Sequence, residues 1–165
     1  MNRERTKPCI AFEHHDHRDC QHHQLSVARE LCAKRNIRLT ARRLQVLEIL
    51  LQSHQPMGAY EILARLNQAQ NKQTIAPPIV YRALDFLLAE GLVHRIESKK
   101  AFISCTQPGH QCMAQFLICR GCEKVAELEN PDGALLSEAV NVGFAVDHSV
   151  VEFSGICADC RENAV

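Results

Sequence analysis

Cys119-Arg120-Gly121-Cys122 and Cys157-Ala158-Asp159-Cys160 are two Cys-x2-Cys pairs in one chain. A pair at this spacing grips one ion from a tight turn. Two pairs complete the tetrahedral sulfur shell that zinc accepts in closed structural sites. The 35 residues from Cys122 to Cys157 exceed what a minimal zinc ribbon needs, because a helix and a strand are expected between them. The competing chemistry is thiol–disulfide exchange, which favours a helix N-terminus where the dipole lowers the thiol pKa. Cys119 and Cys122 are instead expected between two strands, Gln115–Ile118 and Lys124–Leu128, with Gly121 permitting the turn. The four cysteines therefore read as a structural zinc site.

A second, less regular group of ligand types comprises His94, Cys105, His110, Cys112 and Glu127. Any one of them alone would read as ordinary packing. The compact spacing Cys105-x4-His110-x-Cys112 weakens that reading, and His94 shares an inward strand face with Leu92 and Ile96. Sulfur, nitrogen and oxygen ligands drawn from two modules would couple metal occupancy to the angle between the modules. A sensor needs that property: a ligand with different affinities for two states. His110 and Cys112 stand as alternatives for one position. A further tract, residues 14–23, holds five of the nine His. Such a tract can bind metal loosely, but residues 1–23 lack apolar periodicity and are expected to be a mobile tail.

The elements that must position these residues follow from periodicity. Leu25, Ala28, Leu31 and Cys32 mark a first helix from Gln24 to about Arg35. Thr40 is a good N-cap, with Leu39 and Leu44 placed as a hydrophobic staple. The second helix buries Leu44, Leu47, Leu50 and Leu51, and Gln55-Pro56-Met57-Gly58 ends it. A third helix spans Ala59–Asn67, and Pro77-Pro78 opens a fourth that stops at Gly91. The fourth buries Val80, Leu84, Leu87 and Leu88 and leaves Tyr81, Arg82 and Asp85 outside. Leu92–Glu97 and Ala101–Ser104 form a hairpin. Helices followed by a hairpin give a winged helix-turn-helix, with the third and fourth helices as the turn motif. Arg is the commonest reader of guanine edges, and Tyr can meet phosphate or base. Beyond Cys105, a helix over Pro131–Gly143 and a strand over Phe144–Phe153 complete a small α/β unit. The Pro131–Gly143 helix buries Leu135, Leu136, Ala139 and Val140. Phe144, Val146, His148 and Val150 share one strand face. Such a unit buries too little surface to stand alone, so a metal staple or dimerisation is expected.

The zero net charge hides an asymmetry. Residues 24–104 carry twelve Lys/Arg against six Asp/Glu, and residues 105–165 carry three against nine. The basic module is the one suited to a polyanion. Nine Cys, an odd number without a recognisable secretory signal, argue against a secreted disulfide framework. No apolar run is long enough to span a bilayer. A cytoplasmic chain, with no membrane partner and thiols free for metal, is expected. No nucleophile–base pairing or phosphate loop marks an enzyme.

The segments RNIRLTARRLQVLEIL, GAYEILARLN, APPIVYRALDFLLAEGLVHRIES, FLICRGC and GICADC resemble the ferric-uptake-regulator family, in particular its zinc-sensing branch of zinc uptake regulators. The resemblance covers about residues 25–160 in order. It implies an α+β architecture: a winged-helix DNA-binding domain over 24–104 and a dimerisation and metal-sensing domain over 105–165. It implies a homodimer whose zinc-loaded form binds an AT-rich palindromic operator and represses zinc-uptake genes. Cys119, Cys122, Cys157 and Cys160 match the structural zinc site. His94, Cys105, a downstream His and Glu127 match the regulatory one, giving two zinc ions per monomer. Tyr60 and Arg82 match positions proposed to meet bases. Ile79 stands where the family usually has Thr, so a hydroxyl is missing at the start of the recognition helix. For the third regulatory ligand, counting back from Cys119 selects Cys112, while matching Pro-x-His selects His110. His148 is a lesser candidate. An iron, manganese or peroxide sensor is the alternative within the family; a zinc-storage or thiol-redox protein is the alternative outside it.

Overall fold

The computed structural model describes residues 11–12, 17–69, 74–108, 113–128, 134–147 and 149–163. Four helices come first: α1 His17–Lys34, α2 Ala41–Leu50, α3 Ala59–Ala69 and α4 Pro77–Ala89. A hairpin follows, β1 Val93–Ile96 and β2 Ala101–Ser104, closed by a 3-10 turn over Glu97–Lys99. The remainder comprises β3 Met113–Cys119, β4 Val125–Glu127, α5 Ala134–Asn141, β5 Ser149–Gly155 and α6 Ala158–Glu162. The architecture is α+β, a winged helix-turn-helix followed by a small α/β unit.

The helical unit forms as its periodicity predicts. Thr40 caps α2, its hydroxyl accepting from the Arg43 amide at 3.5 Å. Gly91, at φ 67°, closes α4 as Gly91 N donates to Leu88 O and Leu92 N to Leu87 O. One core joins Ala28 and Cys32 of α1, Val46, Leu47 and Leu50 of α2, Ile62 and Leu66 of α3, and Val80, Leu84 and Leu87 of α4. Met57, just before α3, exchanges backbone hydrogen bonds with Phe102 at 2.8 and 2.9 Å, fixing the hairpin to the helices. Leu44 is only half-buried: Val46 and Ile49 take the inward positions on α2.

The hairpin has a second neighbour. Ile96 and Ile103 pack with Ala114, Phe116, Ile118 and Val125 in a separate core. The three strands behind that core are ordered β4-β3-β5. β3 pairs antiparallel with β4 and parallel with β5. The wing is thus sandwiched between the helical unit and the second sheet, and most of its residues are buried. At its rim the Glu152 carboxylate accepts from the amides of Glu97 (2.6 Å) and Ser98 (3.2 Å). Lys99 pairs with Glu123 at 3.2 Å.

Three expectations are corrected. α1 begins at His17, so residues 17–23 are helical and not part of a structureless tail; Gln24, Ala28 and Cys32 anchor this helix by burial. The last strand starts at Ser149, not Phe144. Residues 143–144 are used to close α5: Gly143, at φ 79°, donates to Val140 O, and Phe144 donates to Ala139 O. Val140, expected on the buried face of that helix, is 67% exposed, and Phe144 just beyond it 65%. His148 lies outside the described residues.

Leu84 is fully buried at the centre of the helical core. Leu84→Ala is expected to cost about 2–5 kcal/mol of stability, read from urea unfolding of the full chain.

Candidate metal centres

Cys119 ends β3, and the chain turns through Arg120–Glu123 before entering β4. The turn closes with Glu123 N donating to Cys119 O at 3.0 Å and Cys119 N to Lys124 O at 3.0 Å. Cys157 lies two residues after β5 and caps α6 by position, and Cys160 sits in that helix. Because β3 and β5 are parallel neighbours, with Cys119 opposite Gly155, both pairs emerge at one end of the sheet. One sulfur from each of the four cysteines lies within 4.8 Å of the others. None of them is in a disulfide. Cys122 and Cys157 Sγ are 3.8 Å apart.

The electrostatics of this cluster suit a cation. The Cys157 amide, 3.3 Å from Cys119 Sγ, is the main cause that lowers the Cys119 thiol to about 6. Burial opposes this, and the amides of Cys122 and Gly121 add to it. Cys160 and Cys122 move the other way. Hydrogen bonding to Cys157 foremost, then burial and the other two sulfurs, push Cys160 up to about 12. Burial raises Cys122 as well. Four sulfurs this close cannot all ionise beside one another, and a dication among them removes the obstacle. Gly121 is required by space: a Cβ there would lie 2.9 Å from Cys160 Sγ. The helix-start position of Cys157 departs from the strand setting that argued against redox chemistry, which holds only for Cys119 and Cys122.

The second group assembles at the joint between the units. His94 on β1, Cys105 just after β2 and Glu127 at the end of β4 bring one donor atom each within 4.8 Å. His94 Nε2 lies 3.1 Å from Glu127 Oε1, and Cys105 Sγ lies 4.0 Å from the same oxygen. His94 is buried, yet its Nε2 has no aligned hydrogen-bond partner. Sulfur, nitrogen and oxygen donors gathered this closely, with the His94 nitrogen and the Cys105 sulfur both facing one Glu127 oxygen, form a set that could hold a metal ion. His94 is fixed by a T-shaped contact with Phe116, their rings 5.2 Å apart. Glu127 is fixed by Thr106, whose amide and hydroxyl both donate to Oε2 at 2.9 and 2.7 Å. Burial raises the Glu127 carboxyl, but His94 and the two Thr106 bonds outweigh it and hold it below the ordinary range.

Thr106 was invisible to sequence reasoning, its only signal being adjacency to Cys105. His110 and Cys112 lie outside the described residues. On the helical unit Tyr60 is 70% exposed, and Tyr81 and Arg82 are exposed on α4. The start of α4 has Ala76 at its cap with no side-chain hydrogen bond and Ile79 exposed, so no hydroxyl is supplied there.

Comparison with known proteins gives a consistent result. A sequence model of the ferric uptake regulator family matches residues 34–154. The chain is 39% identical over 143 residues to the zinc uptake regulation protein of Escherichia coli (strain K12), covering 84% of this chain and 81% of that one. It superimposes on a zinc uptake regulator complexed with zinc and DNA with a TM-score of 0.78, at 37% identity, covering 87% of this chain and 96% of the other. One further relative is solved in two forms. Against holo XcZur the TM-score is 0.75 at 38% identity, covering 84% and 96% of the two chains. Against apo XcZur it is 0.53 at 37% identity, covering 87% and 99%.

Two substitutions probe the centres. Gly121→Ala should displace Cys160 and lower both zinc retention by the four cysteines and the thermal midpoint, measured by chelator competition and melting. Thr106→Val should weaken metal binding at the joint by about 10–100-fold while leaving the four-cysteine site loaded, measured by titration in buffered zinc.

Proposed function

The chain belongs to the ferric uptake regulator family, and we propose that it is a zinc-responsive transcriptional repressor that binds operator DNA as a zinc-loaded homodimer and shuts off zinc-uptake genes. The observation that carries this reading is the convergence of His94, Cys105 and Glu127 from both sides of the joint. Metal bound there would fix the angle between the helical unit and the sheet.

Two zinc ions per chain fit two kinds of site. Cys119, Cys122, Cys157 and Cys160 would hold a permanent structural ion, since four thiolates close the coordination shell. His94, Cys105 and Glu127 would hold the regulatory ion, with His110 or Cys112 as the remaining ligand. The likeness to the holo form of XcZur, greater than to its apo form, supports reading the present arrangement as the DNA-competent one. The mechanism is a population shift: zinc binds the closed joint better than an open one and moves the equilibrium by that difference alone.

Residues 24–104 would form the DNA-binding domain and 105–165 the dimerisation domain. Tyr60, Tyr81 and Arg82 are the residues we assign to DNA, within a segment of net charge +6 (twelve basic, six acidic residues). Exposed Val140, Val142, Phe144, Phe153 and Ile156 supply apolar surface for a second copy. Among the described residues no helix is long and apolar enough to cross a membrane; a regulator of this kind works in the cytoplasm, where the chromosome is. A buried thiol beside the carboxylate favours zinc over the iron, manganese and peroxide alternatives. Zinc storage or thiol redox chemistry leaves the basic helical unit unexplained.

The test is operator binding at buffered free metal, with stoichiometry measured in parallel. Zinc should restore binding and ferrous iron should not. Cys105→Ser should keep the dimer and the structural zinc but lose zinc-dependent binding, whereas Cys119→Ser should damage folding itself. Equal effects of the two substitutions, or restoration by iron alone, would refute the reading.

A further inference from the structure

A third group of metal-ligand side chains lies away from both centres. His17 and Cys20 stand three residues apart in the first turns of α1, which places them on one face. His54 comes from the turn after α2. The His17 and His54 rings lie 4.5 Å apart, inclined at 58°. One donor atom from each of His17, Cys20 and His54 falls within 4.8 Å of the other two, the same span that encloses the four cysteines. All three residues are half-buried. One turn further along α1, buried Gln24 directs its Nε2 at Cys20 Sγ from 3.7 Å.

We propose that His17, Cys20 and His54 form a third metal site, which takes a zinc ion and ties the start of α1 to the turn after α2. Two imidazoles and one thiolate are a borderline-soft set that suits zinc and excludes calcium or magnesium. Tetrahedral zinc with bonds of about 2.0–2.3 Å requires donors roughly 3.3–3.8 Å apart. The three side chains therefore need to close by about 1 Å, within the reach of their rotamers, and water completes the fourth position. Three protein ligands in place of four make this the weakest of the three centres.

The position of His54 gives the site a consequence. The His54 carbonyl accepts from the Val125 amide at 2.9 Å, and the Gln55 side chain donates to the Cys122 carbonyl at 2.8 Å. The turn that would receive the third ion thus already touches β4 and the Cys119–Cys122 turn. An ion at His54 braces α1, this turn and the zinc-bearing end of the sheet as one body.

The experiment uses the full-length chain with the four-cysteine zinc in place and Cys105→Ser/Glu127→Gln to disable the joint centre. Cobalt(II) is the probe. The expected result is uptake of one further cobalt per chain, with a thiolate-to-cobalt charge-transfer band in the near ultraviolet. Adding Cys20→Ser should abolish that band, and adding His54→Ala should weaken cobalt uptake by tenfold or more. Retained four-cysteine zinc and an unchanged melting profile serve as the folding control. Should His54→Ala fail that control, Cys20→Ser, in the half-buried first turns of α1, decides alone. Absence of the band before Cys20 is replaced, or its persistence after Cys20→Ser, overturns the proposal.

Discussion

Glu127 sets the terms for the joint between the two units. A carboxylate removed from water is costly unless its oxygens are partnered. One oxygen is satisfied by the Thr106 amide and hydroxyl, and the other is left facing His94 and Cys105. A dication at that point would convert the cost of the buried charge into an attraction shared by residues from both units. The angle between the units would thereby be tied to occupancy, because His94 belongs to the hairpin and Glu127 to the sheet.

The surrounding structure makes such a joint two-sided. The hairpin shares one core with the helices and another with the sheet, so it cannot move without unpacking one of them. The second core is small, and at its rim lie the Glu152 contacts with the Glu97 and Ser98 amides and the exposed Lys99–Glu123 pair. An exposed ion pair of that kind adds little stability. The closed arrangement accordingly rests on a modest apolar contact, a few hydrogen bonds such as His54–Val125 and Gln55–Cys122, and whatever the three ligands contribute, which suits a bistable element. The four-cysteine site has the opposite character. Its cysteines lie in turns at one end of a single sheet, so an ion there would hold that sheet together regardless of the angle.

Much of this was legible in the sequence for identifiable reasons. The four helices, their caps and the hairpin follow from strong local signals: Thr40, Pro77-Pro78, Gly91 and clear apolar periods. The two Cys-x2-Cys pairs were legible because ligand spacing is itself a geometric statement. What failed to read was set by tertiary contact. Residues 17–23 look polar and structureless, yet they extend α1, which buried Gln24, Ala28 and Cys32 hold against the core. Phe144 and Val146 alternate like a strand, but Gly143 commits that stretch to ending α5. Val140 reads as core on a helical wheel yet is exposed, since periodicity tells which residues share a face and not whether anything packs on it. The orienting role of Thr106 requires knowing where β4 ends, which no local pattern tells.

The central claim is that metal at His94, Cys105 and Glu127 fixes the angle between the helical unit and the sheet. It is tested most directly by pulsed electron-paramagnetic distance measurements between a spin label on α3 and one on β5, in the full-length dimer with its four-cysteine zinc in place. Across a series of buffered zinc concentrations, the account predicts a broad distance distribution at low zinc that collapses to one narrow population as the joint fills. With His94→Ala the distribution should stay broad at every concentration. A distribution equally narrow with and without joint zinc, or one that narrows unchanged in His94→Ala, would contradict it.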